Sequence, residues 1–279
     1  MKKLTIGLCV YDDFDGIYFT IQSLRLHHSE VMNIVEFVII NNNPKSNSGN
    51  ELQKFTRHIT EPITYVEYTS FSSTALRDKI FTLANTPYVL VMDCHVLLEG
   101  GILKKLIDFY DNEKDNGNLL QGPLIYDDLN NLSTHYDLSK WGAYMWGTWG
   151  TDKKGEKREN KPFEIPAQGL GLFSCRKESW LGFNNKFRGF GGEEGYIHEK
   201  YRQHGKATLC LPWMRWMHRF QRPHGVPYNC DLKDRFRNYM IGFHELKLNI
   251  NDVIKQFKEV IPKEYILEIK KELGIIKKK

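Results

Sequence analysis

The sequence of 279 residues lacks several features that would place it in a familiar class. No two of its cysteines have C-x-x-C spacing, and their number is odd; they are Cys9, Cys94, Cys175, Cys210 and Cys230. Most of them lie inside apolar runs, which is typical of buried free thiols in a reducing compartment. No apolar run has the length of a transmembrane helix.

The N-terminus has only a faint likeness to a secretory signal. Two lysines precede the apolar run Leu4–Val10, but this run is short and leads directly into Asp12 and Asp13, without a small-residue cleavage site. We therefore interpret Leu4–Val10 as a first strand and expect a cytoplasmic protein.

Two nucleotide-binding signatures are also missing. G-x-G-x-x-G does not follow the first strand, and G-x-x-x-x-G-K-[ST] does not occur, which argues against dinucleotide-binding and P-loop proteins. The chain has no internal repeat and no low-complexity segment. Hydrophobic residues make up 41%, which is enough for a full core, and the net charge of +5 allows a polyanionic partner without requiring one.

Apolar runs and helical patterns alternate in the first third of the chain. We predict strands at 4–10, 35–40, 63–68 and 88–96, with helices at 16–28, 50–58 and 72–84 between them. Such alternation is typical of an α/β protein with a parallel sheet. Further strands are predicted at 118–126, 170–175 and 207–211, and helices follow from Lys233 onward.

Asp93 and His95 end the most apolar of these strands. Open α/β sheets place ligands at the carboxyl ends of their strands, and side chains two residues apart on a strand point to the same side. Asp93 and His95 could therefore begin a divalent metal site, or they could simply be polar residues at a strand end. Cys94 between them is expected to be buried on the opposite face.

Three later segments also carry polar chemistry. Gly191-Gly192-Glu193-Glu194 opens a helix, where the dipole stabilises acids that act either in a site or as ordinary capping residues. His218 follows a short apolar strand and could be a third metal ligand or a core residue. The basic loop beyond it suits either a diphosphate-covering lid or a solvated surface; its residues are Arg219, Arg222, His224 and Tyr228.

Residues 127–166, rich in Gly and Trp, are predicted to form a surface hairpin or a functional loop.

In combination these motifs resemble the GT-A fold nucleotide-sugar glycosyltransferases. The likeness spans about residues 4–228 and extends to polypeptide N-acetylgalactosaminyltransferases and to bacterial and phage family-2-like enzymes. Asp93-Cys94-His95 is similar to their Asp-x-His motif, and Arg77 stands at the spacing of their helix arginine. Gly169-Leu170 and Gly189–Glu193 are similar to their glycine-containing segments, although Phe190 replaces a tryptophan. His218-Arg219-Phe220 resembles their metal-binding histidine and nucleotide-covering loop.

The resemblance implies a fold, a cofactor and a set of site residues. It implies a mixed central sheet flanked by helices, in a catalytic domain at 1–230. The helical, amphipathic pattern of 231–279 predicts a C-terminal extension packed on that domain. Mn²⁺, or Mg²⁺, would be held by Asp93, His95 and His218. Glu193 would contact sugar or acceptor, and Glu194 could take a proton from the acceptor. The residues implied to bind the UDP-sugar donor are Val10, Tyr11, Asp13, Asn41, Arg77, Gln168, Gly169, Arg222 and Tyr228.

The expected function is transfer of a hexose from a UDP-sugar to an acceptor hydroxyl, with retention of configuration. The acceptor could be a saccharide, a protein or a 5-hydroxymethylpyrimidine in DNA. Basic residues at 215–237 and three tryptophans of the hairpin region would suit DNA; these are Trp141, Trp146 and Trp149. A catalytically silent nucleotide-sugar-binding protein is the alternative from another class. The oligomeric state stays open.

Overall fold

The computed structural model describes residues 1–112, 116–222 and 225–276. Two features from the sequence analysis, His224 in the basic loop and the terminal lysines at 277–279, lie outside these ranges. Within them, no helix is both long enough and apolar enough to cross a bilayer.

The strands found in the described ranges agree with most of the predicted ones. They are β1 (Leu4–Val10), β2 (Val35–Asn41), β3 (Ile63–Glu67), β4 (Tyr88–Asp93), β5 (Val96–Leu98), β6 (Leu119–Gln121), β7 (Leu124–Ile125), β8 (Leu132–Ser133), β9 (His135–Gly142), β10 (Met145–Gly150), β11 (Phe163–Glu164), β12 (Leu172–Arg176), β13 (Thr208–Cys210) and β14 (Trp216–His218).

The α-helices in the same ranges flank the sheet or follow it. They are α1 (Phe14–His27), α2 (Asn47–Thr56), α3 (Arg77–Leu83), α4 (Ile102–Asn112), α5 (Glu193–Gln203), α6 (Leu232–Glu245), α7 (Ile250–Phe257) and α8 (Lys263–Glu272). Helix α3 begins later than the predicted Ser72, because a 3-10 turn at Thr74–Leu76 precedes it.

The central sheet is mixed, in the order β11-β13-β6-β12-β4-β1-β2-β3. Strands β1 to β4 are parallel, as the alternation of strands and helices predicts. The expectation of a wholly parallel sheet is wrong beyond β4, because β12 pairs with β4 in the antiparallel sense. The connection between these two strands contains the β9–β10 hairpin, whereas a parallel neighbour would need a right-handed crossover. The mixed sheet implied by the resemblance is confirmed.

The strand predicted at 88–96 is two strands. Strand β4 ends at Asp93, residues 94 and 95 form a turn, and β5 belongs to a second sheet of order β5-β14-β7-β8. The Thr20 hydroxyl on helix α1 donates to the carbonyls of Cys94 and Val96, at 3.1 and 3.0 Å, and so ties this turn to the helix. Alternation along a strand is therefore not what places Asp93 and His95 together.

Cys94 is buried as predicted, but its expected position on the opposite face is wrong. Its thiol lies 3.5 Å from His95 Nδ1 and 3.8 Å from an oxygen of Asp13. The turn at 94–95 rotates the side chains away from the strand pattern, so the side chains of Cys94, His95 and Asp13 lie close together.

The strand predicted at 118–126 is also divided. Its two halves, β6 and β7, belong to different sheets because the chain bends at Gly122 and Pro123. A Cβ at Gly122 would lie 1.8 Å from the carbonyl oxygen of Met214, so only glycine allows this close backbone approach.

The three C-terminal helices form a hydrophobic cluster with the β9–β10 hairpin. Phe236, Tyr239 and Phe257 are buried in it, and Trp141 and Trp146 of the hairpin pack against it. Helix α6 also contacts α5, whose first residues are the predicted glutamates. Helices α6 to α8 thus pack closely against the rest of the described chain, while the division into domains at 1–230 and 231–279 stays a prediction.

Candidate functional site

The predicted metal ligands converge beside the carboxyl ends of β1 and β4. Asp93, His95 and His218 each offer one ligand atom, and these atoms all lie within 4.8 Å of one another. The Nε2 atoms of the two histidines are 3.1 Å apart, and His218 Nε2 is 3.5 Å from an oxygen of Asp93. Residues separated by more than 120 positions in the sequence therefore form one compact cluster of two imidazoles and a carboxylate.

Strand pairing brings His218 to this cluster. In the β5–β14 pair, His218 lies opposite Val96, and the amide of Arg219 donates to the carbonyl of His95 at 3.2 Å. A Cβ at Gly171 would lie 3.2 Å from the His218 ring, so glycine at this position leaves room for the imidazole. The predicted role of His218 as a third ligand thus has a geometric basis in the second sheet.

Asp13 holds the imidazole of His95 from the other side. Its Oδ2 atom lies 2.9 Å from His95 Nδ1, and its Oδ1 atom accepts from the amide of Gly16 as the N-cap of helix α1. A carboxylate on Nδ1 fixes the tautomer that leaves Nε2 with its lone pair, which is the usual arrangement behind a metal-binding histidine. Asp13, predicted to contact the donor, is therefore placed as a support for His95.

Arg77 connects the metal-ligand cluster to the glycine-rich helix start. It donates to Asp93 at 2.7 Å and lies 3.8 Å from Glu193. Burial alone would raise the pKa of Asp93, but the guanidinium of Arg77 and the two histidines hold it well below its ordinary value. Asp93 is thus a carboxylate at any physiological pH.

A cleft opens next to this cluster and contains most of the predicted donor residues. Its lining within the described part of the chain comprises Cys9, Val10, Tyr11, Asp13, Asn42, Ser72, Ser73, Thr74, Leu76, Arg77, Asp93, Cys94, His95, Gly189, Phe190, Pro227, Tyr228 and Asn229. The ring of Tyr228 lies 6.4 Å from that of Tyr11 and 5.7 Å from that of Phe190, so the 227–229 segment lies over the cleft. Burial raises the pKa of Tyr228 to about 12.

Arg222 contacts the metal-ligand cluster directly. Its Nη2 atom is 2.7 Å from His95 Nε2, and its Nε atom is 3.7 Å from Asp13. The same Nη2 atom is 3.0 Å from His95 Nδ1, so the guanidinium lies beside both ring nitrogens of His95, close to where a divalent cation would bind.

Asn41, Gln168 and Gly169 are placed away from the cleft lining. The amide of Asn41 is fully buried and donates to Tyr65 at 2.9 Å, while the neighbouring Asn42 reaches the cleft. Gln168 donates to the carbonyls of Gly122 and Thr134, both at 2.9 Å, and its Oε1 atom has no partner among the described residues. Gly169 accepts from Gln121 and lies against Trp149. Their predicted donor contacts stay predictions.

Glu193 and Glu194 are both buried at the start of helix α5, with 1% and 7% of their surface exposed. Each has an oxygen without a partner in the described residues. Burial and the adjacent Glu193 raise the pKa of Glu194 above its ordinary value, against the opposing charges of Arg77 and Arg235. A buried carboxyl with a raised pKa has the property of a general base that works near neutral pH.

Some residues near the cleft carry no signal in the sequence. Asn42 stands in a run of three asparagines, so the turn prediction identified its segment but not the residue. Arg235 and Asn238 lie on helix α6, where amphipathic periodicity describes only a packing face. Both contact the Gly189–Gly192 loop.

Comparison with known proteins identifies the family and the fold. The family model described as glycosyl transferase family 2 matches residues 5–180. No curated protein matches the sequence. Two similar solved structures are GalNAc-T7 with UDP, GalNAc and Mn²⁺, and residues 1–349 of S. aureus TarS.

The structural similarity covers nearly the whole chain. GalNAc-T7 has a TM-score of 0.68 and 14% identity over 98% of this chain, which spans 55% of the GalNAc-T7 chain. TarS has a TM-score of 0.53 and 11% identity, with 97% and 72% covered. These likenesses confirm the predicted GT-A fold. Since the family model matches more than half of the sequence, this chain belongs to glycosyl transferase family 2.

Proposed function

We propose that the protein transfers a hexose from a UDP-sugar to an acceptor hydroxyl, with a divalent cation at Asp93, His95 and His218. The observation that carries this proposal is the convergence of these three side chains beside the cleft, with ligand atoms within 4.8 Å of one another. Mn²⁺ is the expected ion, and Mg²⁺ is the second. The GalNAc-T7 structure contains UDP, GalNAc and Mn²⁺, which supports both the donor class and the ion.

The residues present fit such an ion. Adjacent ligands of a metal ion, with bonds of about 2.1 Å, lie roughly 3 Å apart, and the two Nε2 atoms are separated by 3.1 Å. A carboxylate and two imidazoles are donors that Mn²⁺ accepts. When bound, the cation would supply Lewis-acid stabilisation to the departing diphosphate.

Arg222 has to move for this ion to bind. Its Nη2 atom and the cation would compete for the same space at His95 Nε2. An arginine forms strong paired hydrogen bonds with phosphate, and the donor's diphosphate offers it a new partner next to the cluster. We assign Arg222 and Tyr228 to covering the diphosphate of the bound donor.

The remaining roles are part of the same proposal. The bond between the sugar C1 and the diphosphate breaks with its electrons going to UDP, and the acceptor oxygen forms the new bond to C1 on the face that UDP leaves, which retains the configuration. Glu194 takes the hydroxyl proton, and Glu193 contacts sugar or acceptor. Retention of configuration is supported by the resemblance of Asp93-Cys94-His95 and of His218-Arg219-Phe220 to the retaining group. The anomeric configuration of the product, read by NMR, tests that assignment.

A panel of UDP-sugars tests the activity, with hydrolysis measured in Mn²⁺ and in Mg²⁺. His218→Ala should remove turnover and should also remove Mn²⁺ binding measured by calorimetry. His204→Ala is the matched control, because His204 is an exposed histidine after the end of helix α5. Full turnover by His218→Ala at saturating donor would show that the metal assignment is wrong.

A 5-hydroxymethylpyrimidine in DNA is a second acceptor that we consider, beside a saccharide or a protein. The tryptophans do not support it, since Trp141 and Trp146 pack against Phe243 of helix α6. What supports it is Arg188, whose guanidinium lies 4.1 Å from the ring centre of Phe71 on the Ser72 side of the cleft. Aromatic rings with arginine suit base stacking and phosphate contact. Lack of DNA binding even at low salt would count against this acceptor.

A role in binding without catalysis is not supported by the arrangement. Substituted metal ligands would favour that role, but all three candidate ligands are present and lie close together.

A further inference from the structure

A second set of three ligand atoms shares His95 with the metal-ligand cluster but meets the ring at its other nitrogen. This set, the thiol site, consists of Asp13 Oδ2, Cys94 Sγ and His95 Nδ1, which all lie within 4.8 Å of one another. In the proposed reaction Asp13 only supports His95, and Cys94 has no role. All three residues line the cleft, so an ion that enters the cleft can reach them.

The distances within the thiol site fit a tetrahedral zinc ion. The sulfur of Cys94 lies 3.5 Å from His95 Nδ1 and 3.8 Å from Asp13 Oδ2, and these last two atoms are 2.9 Å apart. With Zn–S bonds of about 2.3 Å and Zn–N or Zn–O bonds of about 2.0–2.1 Å, tetrahedral angles separate sulfur from nitrogen or oxygen by about 3.6 Å and nitrogen from oxygen by about 3.3 Å. Small side-chain shifts would therefore give three bonds to one ion and leave the fourth position to water.

Ligand chemistry separates this site from the metal-ligand cluster. A thiolate is a soft ligand that suits Zn²⁺ and Co²⁺, whereas Mn²⁺ and Mg²⁺ prefer oxygen and imidazole ligands. Only 4% of the Cys94 surface is exposed, and burial raises the pKa of its thiol, so the thiol keeps its proton until a coordinating cation displaces it. The two sets of ligands thus select different cations.

Arg222 gives a second indication that this position can hold a cation. Its side chain is 7% exposed, its Nη2 atom lies 3.0 Å from His95 Nδ1, and its Nε atom lies 3.7 Å from Asp13 Oδ2. Nε and Nη1 are buried and have no hydrogen-bond partner among the described residues. Because two of its three guanidinium nitrogens are unpartnered, a divalent ion that displaces Arg222 breaks few hydrogen bonds.

The two sites compete for one imidazole. A neutral imidazole has one nitrogen that carries a proton and one that offers a lone pair. With Asp13 at Nδ1, the proton lies there and Nε2 is free for the metal-ligand cluster. A cation at Nδ1 moves the proton to Nε2 and so removes the lone pair on which that cluster depends.

We propose that Asp13, Cys94 and His95 form a zinc-binding site that, when occupied, prevents Mn²⁺ from binding at the metal-ligand cluster. On coordination the ion forms one bond each to sulfur, nitrogen and oxygen. The thiol proton goes to solvent, and the imidazole proton moves from Nδ1 to Nε2. Only the resulting inhibition of sugar transfer rests on the proposed function; zinc binding itself does not depend on it.

Co²⁺ in place of zinc tests the site without any need for turnover. A thiolate bound to Co²⁺ gives a ligand-to-metal charge-transfer band in the near ultraviolet, which carboxylate and imidazole ligands do not give. The full chain with one equivalent of Co²⁺ should show this band, and Cys94→Ser should lose it. The same variant should bind Zn²⁺ at least about 100-fold more weakly by calorimetry, since even a lost outer partner of a ligand costs up to that factor.

Matched variants separate the thiol site from other thiols and from the metal-ligand cluster. Cys230 is an exposed cysteine, so Cys230→Ser should keep the band. His218→Ala should also keep it, although that variant loses Mn²⁺ binding. Cys94→Ala serves if the serine variant fails to fold.

Competition between the ions gives a second readout. In the wild-type protein, saturating Mn²⁺ should raise the Co²⁺ concentration needed for half of the band by at least about tenfold, within the usual range of coupling between two sites. In His218→Ala, Mn²⁺ should have no such effect.

The outcomes are distinguishable. Absence of the band in the wild-type protein, or an unchanged band in Cys94→Ser, would overturn the zinc site. A band that does not respond to Mn²⁺ in the wild-type protein would overturn the competition. If the wild-type protein turns over no UDP-sugar and the band still depends on Cys94, the proposed function fails and the zinc site stands.

Discussion

The two walls of the cleft differ in how the chain builds them. The strand wall consists of Asp13, Asp93 and His95, which follow the adjacent parallel strands β1 and β4. The glycine wall begins with Gly189 and Phe190 of the lining, continues to Glu194, and is backed by helix α6. The first wall results from two strands that are neighbours in one sheet, although Asp13 and Asp93 are 80 residues apart in the sequence. The second results from a loop that packs against a helix about 40 residues further along the chain. The first wall carries the candidate metal ligands and the second carries the buried glutamates, so the walls should respond differently to substitution.

The strand wall should give the largest loss. Asp93→Ala removes the carboxylate shared by Arg77 and the metal-ligand cluster. We expect turnover of the UDP-sugar to fall by roughly 10³-fold or more, since stabilisation of the leaving group is lost. Calorimetry with Mn²⁺ should detect no binding.

Asp108→Ala is the control for this substitution. Asp108 is an exposed acid on helix α4, paired with Lys104 on the surface, and surface pairs contribute little. Retained Mn²⁺ binding by Asp93→Ala would show that the cation is held elsewhere.

The glycine wall should lose rate without losing the ion. Glu194→Gln keeps the shape of the side chain but cannot take a proton, so kcat should fall by about 10²-fold. Mn²⁺ affinity should stay within about twofold of wild type, because Glu194 is not among the converging ligands. Glu199→Gln on the outer part of helix α5 is the control, since Glu199 pairs with Arg202. A joint loss of rate and metal binding would remove the distinction between the walls.

The pH dependence of the wild-type rate follows from the same group. Burial and Glu193 raise the pKa of Glu194, so its ionised form accumulates only above the ordinary range of a glutamate. The pKa of Glu194 is raised to about 8, so we expect kcat to rise with pH from the neutral into the weakly alkaline range, and this limb should be missing in Glu194→Gln.

The sequence predicted the strand wall well because local signals mark it. A buried apolar run ending in Asp93 and His95 indicates a strand end, and strand ends of parallel sheets meet at one edge. The reason given for their proximity was nevertheless wrong, since β4 ends at Asp93 and a turn places His95. His218 joined the set through the resemblance, and the β5–β14 pairing that brings it there has no local signature.

The glycine wall was predictable only in its first half. Gly191-Gly192-Glu193-Glu194 has the pattern of a helix start at a close backbone approach. That pattern does not identify the segment against which the loop packs. The apolar periodicity of 232–245 indicates packing, but it does not show which side chains face the loop. Arg235 and Asn238 are polar residues inside a helical pattern, and only tertiary contacts assign them to the site.

Removing the support that Asp13 gives to His95 should have a smaller effect than removing a ligand of the strand wall. Asp13→Asn keeps an N-cap residue for helix α1 but removes the charge at His95 Nδ1. Mn²⁺ affinity should fall by roughly 10- to 100-fold, as is usual when the partner of a ligating histidine is changed. Asp15→Asn in the first turn of the same helix is the matched control. Unchanged Mn²⁺ affinity would instead favour the predicted contact between Asp13 and the UDP-sugar donor.

Anchoring by helix α6 should give the smallest of these effects on rate. Asn238→Ala removes three hydrogen bonds to the backbone of residues 188–191, at about 1 kcal/mol each, so the free energy of unfolding should fall by about 2–3 kcal/mol. Because Glu194 then projects from a looser backbone, kcat should fall by about tenfold while Mn²⁺ affinity is kept. Asn184→Ala is the control, since Asn184 also binds α6, through Glu245, but away from the glycines. Equal loss of kcat in both variants would mean that α6 stabilises the fold without positioning the glycine wall.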